Sequence, residues 1–471
     1  MHYILNEAVA LRSWILVPHA YYFKDYRFAQ KLSKEEFELL TLCDGQHDIP
    51  ESELLSSLVE RGLCGTAAGD RTLSPWQKPR FCQNRYFPAM SFMITGRCNF
   101  NCLHCFNAAD NNKLQTEFTL EEALHLLDEA QACGIHEITI TGGEPMLHPQ
   151  FMKIMRGIYE RDMYVHDLNT NGQFITQEVL DEFKTFGCNP LMKISFDGLG
   201  HHDWLRAHQG AEADAIRAIK LCIQNGFKVK VQTNVHRKNM DSILKTADYM
   251  DSLGVKEMRI IRTTESPRWT QNAGHACLDL EEYYDVMLDF TKQYLQKPHK
   301  MEIDIWQFLM FYPQNRIYHH RPVVGGGGPQ RFNAPVCKGN RGMVAVASNG
   351  NVVPCHQMSG YYEQHGQCLG NVKTVGLQKL LSDSSYLDAV CTPISAVVEH
   401  SEKCKNCKYL NLCLGGCRAI ALALTGDELA HDPAKCLYFN KGYLKKVTDL
   451  FNSLSEGEAK YRCMDDLGDI N

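Results

Sequence analysis

Six short strand-like runs, separated by stretches of helical spacing, set the character of the middle of the chain. Met90–Thr95, Glu137–Thr141, Val165–Asn169, Leu191–Phe196, Lys228–Asn234 and Glu257–Arg262 read as strands. Phe151–Arg161, Val179–Phe186, Ala211–Gln224 and Ile243–Leu253 carry apolar residues at helical intervals between them. Thr119-Leu-Glu-Glu122 has the form of a capping box, with Leu120, Leu124 and Leu127 following at helical spacing. Repeated strand–helix units predict an α/β fold with a parallel sheet, curled or open. Six units make a partial (β/α)6 barrel, because a full TIM barrel needs eight. In barrels of this kind chemistry gathers at the C-terminal ends of the strands, so the residues just after each run are the ones to inspect.

The first eighty residues follow a different order. Ile4–Leu16 and Tyr21–Phe28 have strand character. Leu32-Ser-Lys-Glu-Glu-Phe37 then predicts a capped helix, with Ser33 and Glu36 as the box and Leu32 and Phe37 as the staple. That helix is expected to end near Asp44-Gly45, and a second helical segment spans Leu54–Leu63. Short strands followed by helices describe a winged-helix-like unit. Gly65–Phe87 reads as a linker and Gly325–Pro329 as a flexible stretch. The expected division is 1–80, 81–310, 311–450 and a tail of 451–471.

Composition narrows the class. With 471 residues, 44% of them hydrophobic, the chain is long enough for two or three domains and a sizeable core. A net charge of −6 without a basic run gives no reason to expect nucleic acid. No apolar stretch approaches the length of a membrane span. The start, Met-His-Tyr-Ile-Leu-Asn-Glu-Ala, has neither a charged n-region nor a cleavage site, so a cytoplasmic location is expected. There the 20 cysteines are read as thiols and metal ligands, not disulfides.

Three of those cysteines follow the first strand in the run Gly96-Arg-Cys-Asn-Phe-Asn-Cys-Leu-His-Cys-Phe-Asn107. Three thiolates are one short of the four that usually hold a four-iron cluster, and an iron lacking a protein thiolate is free to bind something else. Soft ligands at short spacing suit an Fe–S cluster or, with a distant fourth ligand, zinc. The second strand runs into Thr141-Gly-Gly-Glu-Pro145, where paired glycines let backbone approach a ligand and Glu144 offers a carboxylate to an ammonium group. Asn169-Thr-Asn-Gly172, Ser195-Phe-Asp-Gly198 and Gln232-Thr-Asn234 end the next three strands; such polar side chains bind ligands or cap turns.

The C-x3-C-x2-C loop resembles the signature of radical S-adenosylmethionine (SAM) enzymes. In that family the three cysteines, here Cys98, Cys102 and Cys105, hold a 4Fe–4S cluster whose open iron binds the amino and carboxylate groups of SAM. The resemblance implies that Gly142, Gly143, Glu144 and Pro145 hold the methionyl amino group. It also implies Ser195 as a SAM contact, with Asp197, Asn171, Gln232 and Arg206. His104 stands where relatives often place an aromatic against adenine; a lone loop histidine equally serves packing.

A second cysteine group occupies the C-terminal third. Cys337 is followed by Cys355, then by Cys404, Cys407, Cys413 and Cys417 at C-x2-C-x5-C-x3-C, and by Cys436. Seven cysteines at these offsets resemble the SPASM domain, an extension of peptide-modifying radical SAM enzymes that holds two auxiliary 4Fe–4S clusters. By position, Cys404, Cys407, Cys413 and Cys436 would ligate the distal cluster, and Cys337, Cys355 and Cys417 the proximal one. A zinc ribbon on Cys404 and Cys407 needs only four ligands and leaves three cysteines unexplained. Several relatives have a further cysteine where this chain has Met343, so the proximal cluster either keeps an open iron or takes Cys368 or Cys391.

The N-terminal order of strands and helices resembles the RiPP recognition element, which captures the leaders of ribosomally made, post-translationally modified peptides. A leader would add as a strand at a sheet edge. Together these resemblances imply a radical SAM/SPASM peptide maturase with three clusters, SAM, a precursor peptide with a leader, and an electron donor such as flavodoxin or ferredoxin. SAM cleavage would give a 5′-deoxyadenosyl radical that abstracts hydrogen from the peptide. The carbon radical would then close onto a cysteine sulfur, with an auxiliary cluster taking the surplus electron. The same architecture also serves carbon–carbon crosslinking and formylglycine formation in sulfatases. Outside catalysis, an Fe–S electron carrier or zinc scaffold remains, although neither needs a SAM site.

Overall fold

The computed structural model describes residues 1–24, 26, 28–69, 71–105, 116–263, 267–321, 329–337, 342–454 and 460–464. Most of the stretch Gly325–Pro329 lies outside them.

Parallel strands form the centre. They are β8 (Ala89–Met93), β9 (Glu137–Thr141), β10 (Tyr164–Thr170), β11 (Leu191–Ser195), β12 (Val229–Val235) and β13 (Glu257–Arg262). Each pairs in parallel with the next, in chain order. All six runs anticipated from the sequence are strands here, with ends shifted by a residue or two. The helices Phe151–Tyr159, Gln177–Thr185, Ala211–Gln224 and Ile243–Leu253 lie between them, and Thr119 and Glu122 make the reciprocal capping box ahead of helix Leu120–Ala132.

The sheet extends beyond the six units. β14 (Glu302–Ile305) pairs in parallel with β13, and β17 (Met343–Val346) pairs in parallel with β8. Eight consecutive parallel strands therefore form the curved wall, one on each flank more than the sequence pattern indicates. Antiparallel β15 (Leu309–Tyr312) and β16 (Ile317–His320), with β19 (Arg462–Cys463), prolong one side, and β18 (Val352–Val353) the other. The sheet is an open row of 12 strands. Met343, the departure from the cysteine pattern, is the first residue of β17 and pairs with Ala89.

The barrel interior holds charge as well as apolar side chains. Lys193 Nζ lies 2.5 Å from Asp167, Arg321 Nε 3.0 Å from Asp304, and Lys230 pairs with Glu257. The Lys193–Asp167 and Lys230–Glu257 pairs each join neighbouring strands, where opposite charges on one face meet directly, whereas Arg321 lies just past β16 and reaches Asp304 on β14 beyond β15.

At the N-terminus, β1 (His2–Leu5) lies between β5 (Asp44–Asp48) and β6 (Cys64–Thr66). A second sheet has the order β4 (Gln30–Lys31), β3 (Val17–Phe23), β2 (Val9–Trp14), β7 (Arg80–Phe81). The expected run Ile4–Leu16 is split because the Asn6 side chain accepts the backbone N–H of Ala8 at 3.0 Å, which closes a turn between β1 and β2. Helices Lys34–Thr41 and Glu53–Glu60 follow, the first with the Ser33–Glu36 capping box.

Gly65–Phe87 differs from the linker expected. Trp76 is buried beneath the Arg12 guanidinium, which donates to the carbonyls of Trp76 and Lys78 at 3.0 and 3.1 Å. Gln77 Nε2 donates to Leu5 O and Asn6 O. Polar composition misled because these side chains are spent on internal backbone carbonyls.

This N-terminal unit is also keyed into the barrel. Trp14 Nε1 donates to Cys133 O at 2.9 Å, satisfying a carbonyl at the end of helix Leu120–Ala132. Gly134 follows with φ +74°, and a Cβ there would stand 2.7 Å from the Trp14 ring. Tyr22 and Trp76 stack on His136 at 4.8 and 4.9 Å between centroids. Among the described residues no helix is long and apolar enough to cross a membrane.

Candidate active site

The cysteine loop leaves β8 and folds back over the turn after β9. Gly143 N donates to Thr95 O and Glu144 N to Arg97 O, both at 2.8 Å. A Cβ on Gly143 would lie 2.3 Å from Arg97 O, and one on Gly142 2.6 Å from Thr95 O. The glycine pair is thus required first by the close approach of the cysteine loop itself. Replacing Gly143 by alanine is expected to displace that loop, with a stability loss on the order of 3 kcal/mol. A fall in the thermal midpoint together with lower iron retention after anaerobic desalting would show it; an unchanged midpoint and iron content would contradict the packing argument.

Cys98, Cys102 and Cys105 line one cavity of about 430 Å³. Of the other residues singled out in the sequence, His104, Gly142, Gly143, Asn171, Ser195, Arg206 and Gln232 line it as well. Burial pushes the Cys98 thiol up to about 12, and Cys102, Glu144 and Cys105 add to the shift. Thiolates gathered this way need a positive partner, and a metal centre supplies one. The donor set fits an Fe–S cluster.

Three expected contacts are placed differently. Glu144 is wholly buried and does not line the cavity. Its carboxylate accepts from Thr170 Oγ1 at 2.9 Å, Asn171 N at 2.8 Å and Met146 N at 3.3 Å. Burial raises its pKa to about 7 against those hydrogen bonds. Glu144 therefore braces the turn after β9 against the end of β10, and the Gly142–Gly143 backbone, not this carboxylate, faces the cavity. Pro145 is buried in the same turn. Asp197 lies behind the wall, with Oδ2 accepting from Arg206 Nε at 2.6 Å and Oδ1 from Asn234 N at 2.9 Å. Burial alone would raise its pKa, but Arg206 and His202 outweigh that and hold it well below the usual range. Asp197 thus aims Arg206, whose Nη1 stands 3.8 Å from Cys102 Sγ. His104 is kept neutral, its pKa pushed down to about 3 by burial and by Arg206, and its Nε2 accepts from Asn234 Nδ2 at 3.1 Å.

Some cavity residues had escaped the sequence reading. Arg268 and Lys193 line it, as does His356, whose Nε2 lies 2.8 Å from Ser91 Oγ. A usable signal existed for His356, the neighbour of Cys355, and for Arg268, which follows the sixth strand; Lys193 lies inside a strand and carried none.

A second cavity of about 420 Å³ shares His104, Ser195, Arg206, Gln232, Ile261 and Gln357 with the first. Its barrel side is Leu280, Tyr283, Tyr284 and Trp306, and its far side is Met358, Tyr361, Ile420 and Leu422. The far wall belongs to the segments that follow Cys355 and Cys417.

The C-terminal cysteines fall into two electrostatic groups. Burial pushes Cys436 up to about 12, with Cys413, Cys404 and Cys407 contributing. Burial likewise pushes Cys417 up to about 12, with Asp432 and then Cys355 and Cys337 contributing. Asp432 stands between the groups, its Oδ2 accepting Cys417 N at 2.8 Å. Cys368 is exposed, its Sγ 3.5 Å from Asn351 Oδ1. Cys391 lies 3.9 Å from Arg85 Nη1, and the residue after it, Thr392, accepts the N–H of Val336 next to Cys337.

Comparison with known families agrees with this arrangement. The profile of the radical SAM superfamily matches residues 92–250, and that of the SPASM iron–sulfur cluster-binding domain matches residues 337–408. The chain is a radical SAM enzyme with a SPASM domain. The AdoMet-dependent heme synthase of Methanosarcina barkeri is 26% identical over 355 residues, covering 74% of this enzyme and 96% of that protein. The PqqA peptide cyclase of Granulibacter bethesdensis is 23% identical over 352 residues, 73% of this enzyme and 86% of that protein. Among solved structures, Streptococcus suis SuiB bound to precursor peptide SuiA superposes with a TM-score of 0.65 at 14% identity, covering 92% of this enzyme and 99% of that chain. This last likeness is one of fold.

Proposed function

We propose that this radical SAM enzyme matures a ribosomally made precursor peptide by installing a cysteine thioether crosslink. The observation that carries the reading is the second cavity, which shares six lining residues with the cysteine-loop cavity and is bounded on its far side by the segments that follow Cys355 and Cys417. A substrate there lies between the site of radical formation and the proximal auxiliary centre. Cys98, Cys102 and Cys105 would hold a 4Fe–4S cluster in the first cavity, which, reduced by a donor such as flavodoxin or ferredoxin, would supply with SAM a hydrogen-abstracting radical.

The chain's own residues supply position and an apolar lining. Asp197 fixes Arg206, and neutral His104 forms part of the wall common to both cavities. Tyr283 OH donates to Trp306 O at 3.0 Å and Tyr284 OH to Gln307 O at 3.2 Å, which pins the chamber's tip. Leu280, Ile420 and Leu422 give it apolar lining.

The N-terminal unit supports a peptide partner. β4 is an outer strand with Gln30 and Lys31 exposed, and Tyr26 and Phe28 before it are 60% and 57% exposed. An open strand beside apolar side chains suits a leader added by backbone pairing. A tetrapyrrole substrate is the second reading, favoured by the heme synthase relatives. The heme synthase and the peptide cyclase match similar shares of this chain, 74% and 73%, so the N-terminal strand edge is what favours the peptide.

The test is anaerobic incubation with SAM, dithionite and the peptide encoded beside the gene, followed by mass spectrometry. A thioether removes two hydrogens per crosslink and one alkylatable thiol. Loss of hydrogens with every thiol still alkylatable would replace this reading by carbon–carbon crosslinking. Turnover of a tetrapyrrole alone would overturn it. Serine at both Tyr26 and Phe28 is expected to weaken peptide binding about tenfold while SAM cleavage persists; equal affinity would remove the leader-site assignment.

A further inference from the structure

The second cavity has two kinds of wall. Ser195 ends β11 and Gln232 and Asn234 lie on β12, so hydroxyl and amide groups line it toward the strand ends. Leu280, Trp306, Met358, Ile420 and Leu422 line the remainder with hydrocarbon and ring. Two tyrosines lie among them, and their hydroxyls are engaged by backbone: Tyr283 donates to Trp306 O, and Tyr284 to Gln307 O and, at 3.2 Å, to Ala434 O. Their rings are what they offer an occupant.

The charged groups on this wall are already engaged. Arg206 Nε lies 2.6 Å from wholly buried Asp197, and Arg262 Nη1 donates to Leu278 O at 2.7 Å. Among the described residues no lysine and no carboxylate lines the cavity. A lysine side chain entering it would lose water without gaining an anion, and an aspartate or glutamate would meet only arginines held by other groups. An aliphatic or aromatic side chain meets neither cost and gains from leaving water for apolar surface. The polar boundary suits the same occupant, because a peptide's own N–H and C=O groups need partners where its backbone passes Gln232 and Asn234.

We infer that the second cavity seats a bulky apolar residue of the precursor peptide, aliphatic or aromatic, and that this residue is the one that gives up hydrogen. The inference rests on the peptide reading above and names the part of the peptide that enters. Six residues common to both cavities place the occupant beside the site of radical formation. A C–H hydrogen of the seated residue passes to the 5′-deoxyadenosyl radical. Its carbon then bonds to a peptide cysteine sulfur, whose proton leaves to solvent while one electron passes to an auxiliary cluster.

The experiment uses the reconstituted full-length enzyme with SAM, dithionite and the peptide encoded beside the gene. Tandem mass spectrometry locates the carbon partner of the crosslink, which should be aliphatic or aromatic. The peptide is then remade with leucine, phenylalanine, alanine, lysine or aspartate at that position. Leucine and phenylalanine should be modified at similar rates, alanine about tenfold more slowly for the contact it lacks, and lysine and aspartate about 100-fold more slowly. In competition between leucine and asparagine peptides, whose side chains are close in size, wild type should favour leucine. L280N turns one apolar wall residue into an amide at the first position of helix Leu280–Tyr294. It should narrow that preference about tenfold or more. Because the ratio is taken within one enzyme preparation, general damage to the fold cancels. An unchanged ratio overturns the inference, as does a crosslink on a charged or small polar residue, or aspartate modified as fast as leucine; the peptide reading survives each of these. If L280N does not fold, the wild-type peptide series decides alone. Absence of any modified peptide overturns the peptide reading and this inference with it.

Discussion

Alanine at Cys98, Cys102 and Cys105 together is expected to abolish 5′-deoxyadenosine formation while the C-terminal cysteines keep their iron. The three thiols share a cavity with the Gly142–Gly143 turn, and no C-terminal cysteine lines it. Removing them should therefore lower iron by about four atoms of the twelve expected for three clusters, and leave the rest. The fold should survive, since these side chains lie on a loop outside the strands, and the loop's own anchors at Thr95, Arg97 and Arg268 are backbone contacts. Undiminished SAM cleavage would sink the site assignment; loss of all iron would show that the two regions do not hold metal independently.

The second large effect concerns Cys417. Its N–H is held by Asp432, and the helix Arg418–Thr425 that follows supplies Ile420 and Leu422 to the chamber. Cys417→Ala should therefore strike the step after hydrogen abstraction. If Cys417 ligates the proximal cluster as proposed, peptide product should fall by about 100-fold or more, because losing a ligand should exceed the 10- to 100-fold cost of losing a supporting partner. SAM cleavage without product should fall far less, as Cys417 does not line the first cavity. Measuring 5′-deoxyadenosine and crosslinked peptide in the same reaction separates the two. Equal loss of both would contradict an auxiliary role.

Deleting residues 1–80 would test leader binding poorly, because that unit also covers part of the barrel. Trp14, Tyr22 and Trp76 cover Cys133 O, Gly134 and His136 of the barrel. Removing them would bare that face of the barrel, so the double substitution at Tyr26 and Phe28 is the cleaner probe.

Local chemistry made much of the architecture readable. The parallel strands were legible because short runs of β-branched and apolar residues, alternating with polar ones as in Glu137-Ile-Thr-Ile-Thr141, recur between stretches of helical spacing. The capping boxes at Ser33 and Thr119 were legible because their partners are three residues away. By contrast β17 is four residues long and joins β8 across more than two hundred positions, so no local signal announces it. The helix Leu280–Tyr294 does carry a local signal, the capping box of Asp279 and Glu282.

What the sequence determined by itself is the kind of chemistry: thiolates at fixed short spacings, a glycine pair one unit later, and alternating elements to carry them. Spacing suffices there because ligands on a single loop must lie close together whatever the rest of the chain does. Tertiary structure alone decided which side chains face the ligand. It turned Glu144 and Asp197 inward to hold Asn171 and Arg206, brought Arg268 and His356 into the cavity, and closed the chamber with helices from beyond residue 350. Direction and burial depend on contacts between residues far apart in the chain, and these exist only once the barrel has formed.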